Sequence, residues 1–407
     1  MPRPSPIILI SISTGILALT TACGKANSTS ANSSDRSAYS PVLSGPNVML
    51  VTLGGTTLCG VKGYDNEPCT SITLCAPGTS NCQTITDILV DTGSVGLRIF
   101  SSVITVELTP VIDAASNKPL AQCAQFGSGS DWGPIMLADV GLASEPIVQT
   151  PIQVINKLYK TPVAACNSAD VSPELTGFNG ILGVNVFKQD CGPQCTTNAG
   201  NQLYYSCGAT SCVGSIVSLA NQLQNPVALL PVDNNGVIVE MPLLPDGVAT
   251  SVTGSLVLGI GTQANNDPTG ATRFGTDSYG DLPTTIDGTR YPYSFVDSGS
   301  NGLYFPAPSS VTRCSSTSIA PGFYCPSPTV SLTASISSFS GDAQRQINFD
   351  VSNALDLFNS SNIASDSLAG EDSNEFDWGL PFFFGRKIYV GIEETFSTLG
   401  KGPYQAF

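Results

Sequence analysis

The chain has 407 residues, only 12% of them charged, with 40 Gly, 29 Pro, 13 Cys and a net charge of −15. That length admits two lobes with sizeable cores, and the composition is that of a turn-rich β protein. The acidic balance excludes a nucleic-acid partner, which needs a basic surface, and the absence of histidine excludes Ser-His-Asp, Cys-His and His-zinc chemistry.

Residues 1–23 read as an export signal. Arg3 supplies a basic start and Ile7 to Leu19 an apolar core, too short to span a bilayer comfortably. The Ala22-Cys23 junction resembles a bacterial lipoprotein cleavage site, although Thr20 stands where the usual pattern has Leu. Cys23 is therefore the expected lipidation site, and an ordinary signal peptide cleaved nearby is the alternative. Setting Cys23 aside leaves an even 12 cysteines, enough for six disulfides in an oxidising compartment. Short-range candidates are Cys59 with Cys69, Cys75 with Cys82, and Cys314 with Cys325. Cys191, Cys195, Cys207 and Cys212 are expected to pair among themselves rather than bind a metal. Residues 24–46, rich in Ser, Asn and Ala, read as a flexible tether.

Folding is expected to begin with a strand over 47–53. The alternation on either side of Ala76-Pro77-Gly78 predicts a hairpin whose second strand runs toward Asp91. Phe126 to Gly133 is a loop of small residues, followed by strands over 135–140 and 147–155. Gly177 to Val184 reads as a buried strand. Apolar residues at 216, 219, 220 and 223 predict a short helix over 215–223. The lobe boundary falls within 225–236, giving an N-terminal lobe of 47–230 and a C-terminal lobe of 231–407. Strands follow over 237–241, 255–260, 330–336 and 347–351. The acidic run Glu371 to Asp377 reads as a solvated loop, and Arg98 and Arg386 as surface partners of carboxylates. Trp132 and Trp378 are more typical of a core. No ordered ligand spacing marks a metal site, and no cofactor is implied.

One phrase occurs twice. Val90-Asp91-Thr92-Gly93-Ser94-Val95-Gly96-Leu97 returns 206 positions later as Val296-Asp297-Ser298-Gly299-Ser300-Asn301-Gly302-Leu303. Each copy follows an apolar strand. A single Asp-Thr-Gly-Ser is common in turns. Two matching copies point instead to related halves, each giving one carboxylate to a shared site. Two carboxylates held close share a proton, so one can take a proton from water while the other donates one. Glycosidase chemistry also uses a carboxylate pair, at separations of about 5 Å or more, which ranks it behind peptide hydrolysis here.

These motifs, with Phe178-Asn179-Gly180-Ile181-Leu182-Gly183, Gly254 to Gly259 and Trp378 to Tyr389 in this order, resemble the pepsin-like aspartic proteases over roughly residues 46–400. The cysteine-rich hairpin and the lipoprotein start are closer to a bacterial exported family of unassigned function with the same motifs. The resemblance implies an all-β, bilobal fold of two related β-barrel lobes with a cleft between them. It implies a monomeric exported aspartic endopeptidase, metal-free and cofactor-free, acting on peptide or protein substrates. Asp91 and Asp297 would be the catalytic pair. Thr92 and Ser298 would hydrogen-bond across to the opposite loop, Gly93 and Gly299 would permit close approach, and Ser94 and Ser300 would donate to the outer carboxylate oxygens. Phe126, Gly127 and Trp132 would belong to a flap over the substrate. A lipid on Cys23 would anchor the protein in a bacterial cell envelope, as an outer-membrane lipoprotein or in the periplasm. Two departures stand out: the family's flap tyrosine is replaced by Phe126, and the second apolar-apolar-Gly is expected at Gly379-Leu380-Pro381. They motivate an alternative, a non-catalytic surface lipoprotein that binds peptides or envelope partners in the cleft.

Overall fold

The computed structural model describes residues 36–407, except 56–57, 61–63 and 128. Cys23 and the signal segment lie outside the described residues. Within them the chain is nearly all β, and its longest helix is the six-residue Ala354–Asn359. The first Asp motif belongs to a 17-stranded assembly and the second to a seven-stranded sheet. Val48–Leu53 pairs along its whole length with Val252–Leu258, so the first strand is stitched to the second half of the chain.

Both motifs are built the same way. Cys82–Asp91 runs in and Val95–Phe100 runs out, and Gly180–Val184 lies between them. It is parallel to the first, with Val90 opposite Leu182 and Asp91 opposite Gly183. In the second half Asp377–Trp378 lies parallel to Thr289–Val296, with Val296 opposite Trp378, and antiparallel to Leu303–Phe305. The inserted strand forces the Asp loop out of the sheet. It passes so close that a Cβ on Gly183 would lie 2.7 Å from the Ser94 carbonyl carbon, and one on Gly379 only 2.0 Å from the Gly302 oxygen. Glycine is required at both crossings.

The expected second crossing at Gly379-Leu380-Pro381 is therefore displaced. The crossing residues are Asp377, Trp378 and Gly379, while Leu380–Phe382 forms a 3-10 turn. Pro381 has no N–H for a ladder, which suits the turn and not the strand. The acidic run is corrected at its end only: Ser373 and Asn374 are exposed as expected, but Phe376 and Asp377 are fully buried. Phe376 stacks on Trp378 at 4.0 Å and on Phe305 at 4.7 Å, so Trp378 is core as expected.

Three other expectations change. The helix over 215–223 is only a 3-10 turn, Leu219–Asn221; Ile216 and Leu219 stay exposed, so no apolar face exists to hold a helix. Residues 36–46 are not a loose tether. Arg36 pairs with Asp366 at 2.5 Å, Tyr39 donates to the Met241 carbonyl at 2.9 Å, and Val42 N–H donates to Glu240 Oε2 at 2.7 Å. Single polar contacts of this kind leave no periodicity to read. Arg98 and Arg386 are buried rather than surface residues.

All 12 cysteines after Cys23 are paired. Cys59–Cys69, Cys75–Cys82 and Cys314–Cys325 form as expected, and the cluster pairs within itself as Cys191–Cys195 and Cys207–Cys212. Cys123–Cys166 is the sixth bridge. Six disulfides mark an exported or extracellular protein. Among the described residues no helix is long and apolar enough to cross a membrane.

Candidate active site

The two Asp loops meet, and their hydroxyls interlock. Ser298 N–H donates to Thr92 Oγ1 at 2.9 Å, and Thr92 N–H donates to Ser298 Oγ at 3.1 Å. Thr92 Oγ1 then donates to the Val296 carbonyl at 3.0 Å, and Ser298 Oγ to the Val90 carbonyl at 2.7 Å. All four groups are buried, so each bond forms away from competing water. The lock holds together the two strand ends that carry the carboxylates.

Asp91 and Asp297 are both fully buried. Gly93 N–H donates to Asp91 Oδ1 at 2.7 Å, Ser94 N–H to the same oxygen at 3.2 Å, and Ser94 Oγ to Oδ2. Gly299 N–H donates to Asp297 Oδ1 at 2.7 Å and Ser300 Oγ to Oδ2 at 3.0 Å. A Cβ on Gly299 would lie 2.9 Å from Asp91 Cγ and 3.2 Å from Asp297 Oδ1, so the loops approach closely only because this residue is glycine. Burial, then the Asp91 charge, then a hydrogen bond with Asp91 push the Asp297 carboxyl well above the usual range; Gly299 and Ser300 oppose them. The pair holds one proton readily and two charges poorly.

A third acid adjoins the pair. Asp377 sits at the crossing behind Asp297, beside Ser300. Burial first, and the Asp297 charge second, raise its carboxyl well above the usual range, while Ser300 opposes them. Its counterpart in the first half is Ile181, opposite Leu89 as Asp377 is opposite Phe295. An acid inside an acidic run gives no sign in sequence of being buried.

The loop expected over Phe126 to Gly133 is shorter, because Ser130–Gly141 is already strand. Phe126 N–H donates to the Gly129 carbonyl at 2.9 Å, and Gly127 is exposed at the tip. Trp132 is not at the site. It is fully buried, donates from Nε1 to the Tyr159 carbonyl at 2.7 Å, and packs with Cys123, Cys166 and Cys207. Two residues into the strand, its side chain faces the far side of the hairpin. Phe126 does reach the site. With Gly93, Ser94, Phe187, Tyr279 and Phe295 it lines a cavity of about 190 Å³ beside the first Asp loop. Arg98 lies beneath, its guanidinium 5.6 Å from the Phe126 ring centre and 3.7 Å from Asp190. Asp190 also accepts from Gln122 Nε2 and Tyr204 Oη, each at 2.6 Å.

Asn185 was missed. Its Nδ2 donates to the Gly93 carbonyl at 2.9 Å and its N–H to the Ser94 carbonyl at 3.0 Å, buttressing the first loop. Its position two residues beyond Gly183, just past the crossing strand, was the available signal. Cys59, Glu67 and Cys69 cluster as metal ligands would, but the two sulfurs are bonded to each other and supply no thiolate.

Residues 44–407 match a family described as a protein of unknown function (DUF3443). No curated protein matches the chain.

Proposed function

The chain belongs to the DUF3443 family, and we propose that it is an exported aspartic peptidase on a bilobal, pepsin-like fold. The reciprocal Thr92–Ser298 lock carries this reading. It joins two loops of matching sequence, and structural turns have no need of it. Asp297 keeps a proton and polarises the carbonyl of the bound peptide. Asp91 takes a proton from a water molecule, whose oxygen attacks the carbonyl carbon. In the tetrahedral intermediate the Asp297 proton has passed to the former carbonyl oxygen. On collapse Asp91 gives the proton it took from water to the leaving nitrogen, the C–N bond breaks, and the re-forming carbonyl returns its proton to Asp297. Gly93, Ser94, Gly299 and Ser300 hold the carboxyl oxygens, so no reorganisation is needed as charge moves. A lipid on Cys23 would hold the enzyme in a bacterial envelope as a monomer facing its protein substrates.

The test is cleavage of an unfolded protein from acid to neutral pH by wild type, Asp91→Asn and Asp297→Asn, with and without pepstatin. Cleavage lost in both variants supports the reading. Undiminished turnover in either would sink it.

Phe126 favours a second reading, a cleft that binds peptides without cutting them, because its own side chain has no hydroxyl to hydrogen-bond near the carboxylates. Saturable peptide binding by a folded protein, with no cleavage at any pH, would establish it.

A further inference from the structure

The Cys59–Cys69 loop does something the sequence did not announce. Its described residues Tyr64 to Glu67 leave the sheet of the first Asp motif and dock on the loop of the second. Asn66 is fully buried and holds a left-handed backbone, φ 62°, a conformation Asn tolerates better than most residues. Its Nδ2 donates to the Asn301 carbonyl at 2.7 Å and to the Ser365 carbonyl at 2.8 Å. Its Oδ1 accepts from Ser365 N–H at 2.8 Å, and its own N–H donates to the Ile363 carbonyl at 2.7 Å. Asn301 follows Ser300 directly, so this carbonyl belongs to the same loop that carries Asp297.

The anchoring is rigid on both sides. Cys69 is bonded to Cys59, and Pro68 accepts from Val90 N–H at 2.8 Å, one residue before Asp91. Asn66 thus ties the backbone beside one carboxylate to the backbone beside the other. Tyr64 packs on the same apolar cluster as Phe126, formed by Leu89, Phe100, Phe178 and Ile181. The Tyr64 hydroxyl is raised well above its ordinary value by burial and Glu67, with Tyr304, Asp297 and Asp91 adding to the effect.

From this arrangement we infer that the Tyr64–Asn66 segment is a fixed wall closing one end of the cleft. Asn66 satisfies the Asn301 carbonyl of the second loop, which an extended peptide would otherwise meet, and ties it to Ile363 and Ser365. Substrate is then held only on the side of the Phe126, Phe187, Tyr279 and Phe295 cavity. A chain that cannot run past the wall presents only bonds near one of its ends. The substrate class is an unfolded or short peptide with a free end and an apolar residue beside the bond. This specificity rests on the peptidase reading above.

The experiment is a peptide series cut by the wild-type protein, with one apolar pair placed centrally, near the amino end or near the carboxyl end. Wild type should prefer one end-placed bond over the central bond by roughly tenfold or more in kcat/KM. Asn66→Ala and Tyr64→Ala should narrow that ratio by raising central cleavage. Equal cleavage of central and end-placed bonds, still lost in Asp91→Asn, would overturn the wall and leave the peptidase standing. No Asp91-dependent cleavage of any peptide would overturn both. The wild-type series decides the matter alone if the Asn66 variant fails to fold.

Discussion

Asp377 occupies, in the second half of the molecule, the place that Ile181 occupies in the first. Each lies on the strand crossing behind an Asp loop, one residue before the large apolar side chain of Trp378 or Leu182. The acid is held neutral by burial and by the neighbouring Asp297. Because its folded-state pKa is raised, its stability contribution is full below the ordinary carboxylate range and is lost as pH rises. Asp377→Leu should therefore raise stability at neutral pH by about 1 kcal/mol or more and change little in acid. Denaturant melts at both pH values check this. A loss of turnover in Asp377→Leu that Asp377→Asn does not share would show that a polar group there also supports Ser300.

The Thr92–Ser298 lock gives a second expectation. Thr92→Val leaves Ser298 N–H and the Val296 carbonyl unpaired, and Ser298→Ala leaves Thr92 N–H and the Val90 carbonyl unpaired. Each should cost roughly 1–3 kcal/mol of stability. The double variant should cost less than the sum, because both changes break one network. Additive losses would show that the two hydroxyls act independently.

Two acids beside the tip of the Phe126 hairpin should titrate. Asp131 is fully buried and its carboxyl is pushed up to about 8, by burial first and then by Asp170, against Arg98. Asp170 is raised to about 6, also by burial, and Lys157 opposes it. Asp170 N–H donates to the Ser130 carbonyl at 2.8 Å, so the pair sits where the hairpin is pinned. Raised acids favour the folded state at low pH. The advantage fades from about pH 4 and is gone above about pH 8. Asp131→Asn should raise the melting temperature at the upper end of this window and not at the lower. An equal effect at both would mean the pair carries no shared proton.

Removing the sixth disulfide should be costly. Cys123–Cys166 closes a sequence separation of 43 and joins the hairpin to the segment carrying Asp170. Replacing both residues with Ser should lower stability by roughly 4 kcal/mol if loop entropy governs. The same change at Cys207–Cys212, with a separation of 5, should cost less. Calorimetry of both variants tests the ordering.

The β class, the disulfide compartment and the two Asp loops are legible from the residues alone. Those features are local: turn residues, an even cysteine count, and an Asp-hydroxyl-Gly-Ser phrase whose Asp accepts from the Gly N–H and the Ser hydroxyl within three residues. Tertiary structure decided what lies behind and beside the loops. Burial of Asp377 depends on strand register, and a shift from Gly379-Leu380-Pro381 to Asp377-Trp378-Gly379 exchanges an apolar neighbour for an acid. The facing of Trp132 depends on how far strand extends toward the hairpin tip, since alternate residues face opposite sides. The grip of Asn66 on Asn301 spans 235 positions, and no local pattern records which distant carbonyl a single amide will meet.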